Sequence, residues 1–83
     1  MELSQRVRAI VSFVEAADAG SFAAAARSQG ISPAAVSKNI AGLEQALGVR
    51  LMNRTTRTLS LTEEGRVFLQ QARIAIGALD TAM

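Results

Sequence analysis

The chain is 83 residues long, 49% apolar and 19% charged, with a formal net charge of +2. That is one small folded domain, neither a disordered segment nor several domains. It contains no cysteine and no histidine, which excludes disulfides, thiol nucleophiles, thiolate or imidazole metal sites and histidine-based acid–base catalysis.

No apolar run approaches the ~20 residues of a membrane span, and no signal-peptide pattern opens the chain. A cytoplasmic protein without a membrane partner, metal or cofactor is expected. Sixteen alanines carry much of the apolar share, and Phe13, Phe22 and Phe68 are the only aromatics. Such a core is thin, and burial against a second subunit would help it.

The first helix is expected from about Gln5 to Ala19. Ile10, Phe13, Val14 and Ala17 recur at helical spacing, and Val7 and Val11 widen the apolar arc to roughly 160°. Gly20 is suited to end it, because glycine tolerates positive φ. Ser21 can cap a short second helix, Phe22 to Gln29, with an alanine interior at Ala23 to Ala26. Gly30 ends that helix, and Ile31 is expected to plug the core from the turn. Ser32-Pro33 is the clearest helix start in the chain, an N-cap serine before a proline at the first helical position. The third helix runs to Leu47 and stops at Gly48. Val36, Ile40, Leu43 and Leu47 fall within about 60° of arc, so one narrow face is buried. Ala34, Ser37, Lys38, Ala41 and Gln45 lie on the other side.

After Gly48 the period changes. Val49-Arg50-Leu51 and Leu59-Ser60-Leu61 alternate as strands do, and Thr55, Thr56 and Thr58 are β-branched. The polar stretch Asn53-Arg54-Thr55-Thr56-Arg57 between them has neither glycine nor proline, which predicts a wide loop with arginines at its tip. Thr62 can cap a last helix, with Glu63 and Glu64 complementing its positive N-terminus. This helix, about Glu63 to Ala82, would be roughly 30 Å long. Phe68, Ala72, Ala75 and Leu79 form one stripe, flanked by Leu69 and Ile76 on one side and by Val67 and Ile74 on the other. The polar strip spans only about 80°. A helix that apolar needs two partners, its own domain and a second chain.

Charge is unevenly placed. Between Arg27 and Arg57 five cations, Arg27, Lys38, Arg50, Arg54 and Arg57, stand against Glu44 alone, while each flank sums to −1. A basic middle between faintly acidic flanks points to a face that meets an anion, and nucleic acid is the commonest such partner.

Two helices joined by a glycine-containing turn, the second opening with small and polar residues and followed by a basic β-loop, outline a winged helix-turn-helix. The ordered set Gly20-Ser21-Phe22, Ala25-Ala26, Ser32-Pro33-Ala34-Ala35-Val36-Ser37-Lys38-Asn39-Ile40, Leu43-Glu44, Leu47-Gly48-Val49-Arg50-Leu51, Arg54-Thr55-Thr56-Arg57 and Leu61-Thr62-Glu63-Glu64-Gly65 resembles the N-terminal DNA-binding domain of LysR-type transcriptional regulators over essentially the whole chain. The resemblance implies a mainly α fold with a small β-wing. It implies a winged helix-turn-helix over 5–62, with the helix-turn-helix at about 22–41 and the wing at about 49–61, then a linker and dimerisation helix over 63–83. It implies bacterial, sequence-specific binding of double-stranded DNA with the third helix in the major groove. Ser32, Pro33, Ala34, Ser37 and Lys38 would then face the DNA: the serines and lysine bonding phosphate or base edges, Pro33 and Ala34 meeting a thymine methyl. From the wing, Arg54 would lie on phosphate and Arg57 in the narrow minor groove, with Thr55 beside them.

Phe68, Leu69, Ala72, Ala75, Ile76 and Leu79 would join a homodimer on an interrupted palindrome, or a tetramer in a longer protein. A small-molecule effector would bind only through the family's C-terminal sensor domain, absent from this chain. Many members carry glutamine–proline where this chain has Pro33-Ala34, so one base-reading amide is missing. Ala23 and Ala24 replace residues that often touch the backbone, and Ala41 and Gly42 replace common basic residues, which shifts the expected affinity toward the wing.

The alternative is a winged-helix protein–protein interaction module using the same third helix. The arginines of the wing disfavour it, since a protein-binding face would expose aromatics and none lies there. An enzyme is disfavoured because the remaining serines and carboxylates are scattered, and Glu63-Glu64 reads as a helix start. The salt dependence of binding to mixed DNA separates a DNA binder from a protein-binding module.

Overall fold

The computed structural model describes residues 1–54 and 59–83. Six elements follow in chain order: α1 (Leu3–Ala19), α2 (Phe22–Gln29), α3 (Pro33–Leu47), β1 (Met52–Arg54), β2 (Leu59–Leu61) and α4 (Glu63–Ala82). The helix boundaries follow the cap chemistry. Gly20, Gly30 and Gly48 terminate α1, α2 and α3 at φ of +72°, +69° and +74°, where a Cβ would strain the backbone. Ser21, Ser32 and Thr62 accept the backbone N–H groups of Ala24, Ala35 and Gly65 at 3.0, 3.1 and 2.9 Å. Each such cap contributes about 1 kcal/mol. Helix α1 begins two residues before the start that its apolar period gives. The Gln5 Oε1 accepts the backbone N–H of Glu2 at 3.2 Å and so secures the extra half-turn.

The core joins Ala9, Phe13 and Ala16 of α1, Ala25 and Ala26 of α2, and Val36, Ile40 and Leu43 of α3 to Leu51 and Met52 at the start of the wing. Ile31 packs on this cluster from the turn, as expected. Leu47 does not share the buried face of α3. It stands 44% exposed at the last position of the helix, on the edge of a depression it shares with Ile10 and Phe68. The wide apolar arc of α1 is explained by four partners, since it packs on α2, α3, α4 and β2. Phe13 and Phe68 meet edge to face, with ring centroids 5.6 Å apart at 62°, an arrangement that contributes about 0.5–1.5 kcal/mol beyond burial. One polar network crosses the helix junction: buried Ser12 donates to Gln29 Oε1 at 3.0 Å and accepts from Asn39 Nδ2 at 3.2 Å. It fixes α1, α2 and α3 in one register, because a misaligned helix would leave these groups unpaired.

The wing differs from the sequence reading at its first strand. β1 occupies Met52–Arg54, not Val49-Arg50-Leu51, and pairs antiparallel with β2 as Met52↔Leu61, Asn53↔Ser60 and Arg54↔Leu59. Glu44 of α3 accepts the N–H groups of Leu51 and Met52, and strand pairing begins at Met52, three residues after the start expected from the sequence. Among the described residues no helix is long and apolar enough to cross a membrane.

Candidate nucleic-acid interface

Burial of Val36, Ile40 and Leu43 leaves the opposite strip of α3 in solvent. Ala34, Lys38, Ala41 and Gln45 are exposed along it, with Ser32 and Pro33 at its N-terminal end and Ser37 half-buried at its flank. The five residues expected to face DNA, four of α3 and its N-cap Ser32, are therefore brought together on one side of the first two turns. Ser32 Oγ is engaged as a cap acceptor, which leaves its O–H free to donate to a phosphate. Gly30 and Ile31 set the angle between α2 and α3 through a bond from the Ile31 N–H to the Ala26 carbonyl at 3.1 Å.

The wing root is organised by a residue to which the sequence reading gave no role. Glu44, on the flank of α3, accepts the N–H groups of Leu51 and Met52 on Oε2 at 2.8 and 3.2 Å. Its Oε1 accepts from Arg54 Nη2 at 2.9 Å. The side chains of Arg54 and Glu44 are 29% and 11% exposed, and the Arg54 guanidinium carbon lies 5.8 Å from the centroid of the Phe22 ring. Arg54 thus spans from α3 to α2 across the base of the wing, held by a charged hydrogen bond on one side and a ring face on the other. A signal for Glu44 was present: it is the lone carboxylate in the basic stretch. Only the fold, however, brings it to Leu51, Met52 and Arg54. Thr55 and Arg57, the other two wing residues expected to touch DNA, lie outside the described residues.

Helix α4 divides the six residues assigned to a dimer contact. Ala72 is 3% exposed, and Phe68 and Leu69 pack on the core of their own chain. Ile76 is half-buried, whereas Ala75 and Leu79 are exposed. The most exposed of the large apolar residues within α4 are Val67 and Ile74, 59% and 66% exposed and seven residues apart, ahead of Leu79 at 48%. Val67 also borders an open apolar groove of about 430 Å³, with Leu47, Val49, Leu51 and Phe68.

The model of the bacterial regulatory helix-turn-helix protein, lysR family, matches residues 7–66. Among curated proteins, the chain is 43% identical over 75 residues to an HTH-type transcriptional repressor of Pseudomonas aeruginosa, covering 90% of this chain and 24% of that protein. It is 48% identical over 61 residues to the transcriptional regulator CrgA of Neisseria meningitidis, covering 74% of this chain and 20% of that one. The chain thus spans a quarter or less of the length of these curated relatives. Among solved structures, the CbnR DNA-binding domain in complex with DNA superposes with a TM-score of 0.87 at 33% identity, over 99% of this chain and 90% of that one. The BenM DNA-binding domain bound to catB site 1 DNA superposes with a TM-score of 0.88 at 32% identity, over 99% and 87% of the two chains.

Proposed function

Because the chain belongs to the LysR family of bacterial helix-turn-helix regulators, we propose that it binds specific double-stranded DNA sequences through α3 in the major groove. The observation that carries this reading is the exposed strip Ser32, Pro33, Ala34 and Lys38 beside a wing whose root is clamped to the same helix. Likeness over 99% of the chain to domains solved on DNA supports it. Ser32, Ser37 and Lys38 supply the donors for phosphates and base edges. Arg57 is the minor-groove contact of the wing, with Thr55 beside it. Arg54 enters this reading as the strut of the wing and not as a free phosphate ligand, because Glu44 neutralises it.

Selection of binding sites from a pool of random duplexes tests the reading. A single consensus should emerge for the parent chain, and Lys38→Ala should yield a different one. An unchanged consensus bound more weakly would make Lys38 a phosphate contact. Failure to enrich any sequence would refute specific binding.

The same reading includes a homodimer through α4, on an interrupted palindrome with half-sites about one helical turn or a multiple apart. Val67 and Ile74 support it, since leaving each in water forgoes roughly 1.5–3 kcal/mol. The groove beside Val67 extends the same apolar surface. Together with Leu79 these side chains, rather than Ala72, are free to meet a second copy. Ile74→Asp should lower dimer affinity about 100-fold or more in analytical ultracentrifugation, because two-fold symmetry buries the change twice. A dimer indifferent to Ile74→Asp and Leu79→Asp would place the contact elsewhere.

A further inference from the structure

Four of the seven arginines among the described residues are engaged within the chain, and Arg8, Arg27 and Arg66 are not. Arg54 pairs with Glu44 and Arg73 with Asp18. Arg6 Nε donates to the Met1 carbonyl at 2.9 Å, and Arg50 Nη2 donates to the Met52 carbonyl at 3.4 Å. Arg8 on α1 makes no such bond among the described residues. It is exposed, and it borders one shallow depression of about 210 Å³ with Met1, Gln5, Lys38 and Asn39. The nearest carboxylate on its strip of α1, Glu15, stands two turns further along, about 10 Å away.

The placement of Arg8 follows from the polar network at the helix junction. Ser12 lies one turn after Arg8 on the same face of α1, and it is bonded to Asn39, the residue after Lys38. That bond holds the α1 strip carrying Arg8 against one flank of α3, while Glu44 holds the wing root against the other flank. The exposed strip with Ala34, Lys38 and Ala41 runs between them. A helix lying in a major groove about 12 Å wide is walled by two phosphate backbones. The wing serves the wall on its own side, and the other wall faces α1.

We propose that Arg8, beside Lys38, binds a backbone phosphate on the side of α3 opposite the wing, so that α1 is part of the DNA-contacting surface. This rests on the placing of α3 in the major groove proposed above. It departs from the charge pattern along the chain, which makes the α1 segment a faintly acidic flank. Arg6 is the internal control. It sits on the same helix with the same charge, but it borders a separate depression with Ile10, Leu43 and Phe68, on the side of α4.

The test is binding of the chain to a pool of random-sequence 30-base-pair duplexes over a series of potassium chloride concentrations. Circular dichroism melts of each variant confirm that it is folded. Arg8→Gln should weaken binding about three- to tenfold at 0.1 M salt and lower the slope of log K against log salt by about one. Arg8→Lys should restore the slope, and Arg6→Gln should leave affinity and slope at parental values. Parental behaviour of Arg8→Gln, or an equal loss in Arg6→Gln, would overturn the assignment of Arg8 while leaving the DNA reading intact. A parent chain with no salt-dependent duplex binding would overturn both.

Discussion

Gly65→Ala is expected to destabilise the fold by roughly 2–4 kcal/mol and to loosen α4 from the wing. An added Cβ would lie 2.0 Å from the Leu51 carbonyl oxygen, 2.9 Å from its carbon and 3.3 Å from the Leu51 Cα. These are backbone atoms of a fully buried residue, so no side-chain rotation relieves the clash. The same junction is tied by the Thr62 N–H to the Leu51 carbonyl at 3.0 Å. It is also tied by the Thr62 hydroxyl, which donates to the Arg50 carbonyl at 2.6 Å and accepts from Gly65. Alanine gains only about 1 kcal/mol of helix propensity over glycine, too little to offset the displacement. Gly77→Ala in the same helix meets nothing within 4 Å and should instead stabilise by about 0.5–1 kcal/mol. Thermal melts compare the two directly. At 4–8 °C per kcal/mol for a domain of this size, Gly65→Ala should melt roughly 10–25 °C below the parent. Equal melting of the two variants would show that α4 does not approach Leu51 this closely.

Glu44→Ala should cost roughly 2–4 kcal/mol and disable the wing. It leaves the buried N–H groups of Leu51 and Met52 without their acceptor and strips Arg54 of its partner. Glu44→Gln keeps an acceptor oxygen but loses the charge, and should cost only about 1 kcal/mol. The two readings of Arg54 diverge in that variant. If Arg54 is a strut, Glu44→Gln leaves it loosely held, and DNA affinity falls or stays level. If Arg54 is a phosphate ligand restrained by Glu44, its release raises the affinity and steepens the salt dependence by about one ion. Duplex binding of Glu44→Gln over a salt series, beside urea denaturation of the same protein, distinguishes these outcomes.

The four helices were legible in the sequence because their information is local. Caps at Ser21, Ser32 and Thr62, stops at Gly20, Gly30 and Gly48, and apolar residues three and four apart act within one or two turns. The exposed side of α3 followed from the same periodicity. Once Val36, Ile40 and Leu43 are inside, Ala34 and Lys38 have only the outside left. Three features were decided by tertiary structure alone. The wing begins at Met52, and Glu44, seven and eight residues earlier, holds its root through the Leu51 and Met52 N–H groups. The free apolar side of α4 is that of Val67 and Ile74, because Phe68, Leu69 and Ala72 are spent on α1 and the core. Arg54 is neutralised while Arg8 stands beside Lys38, thirty residues away in the chain. A hydropathy period specifies which face of an element is apolar. It carries no record of which neighbour covers that face, or of which cation meets a carboxylate, because those depend on residues brought together only when the helices pack.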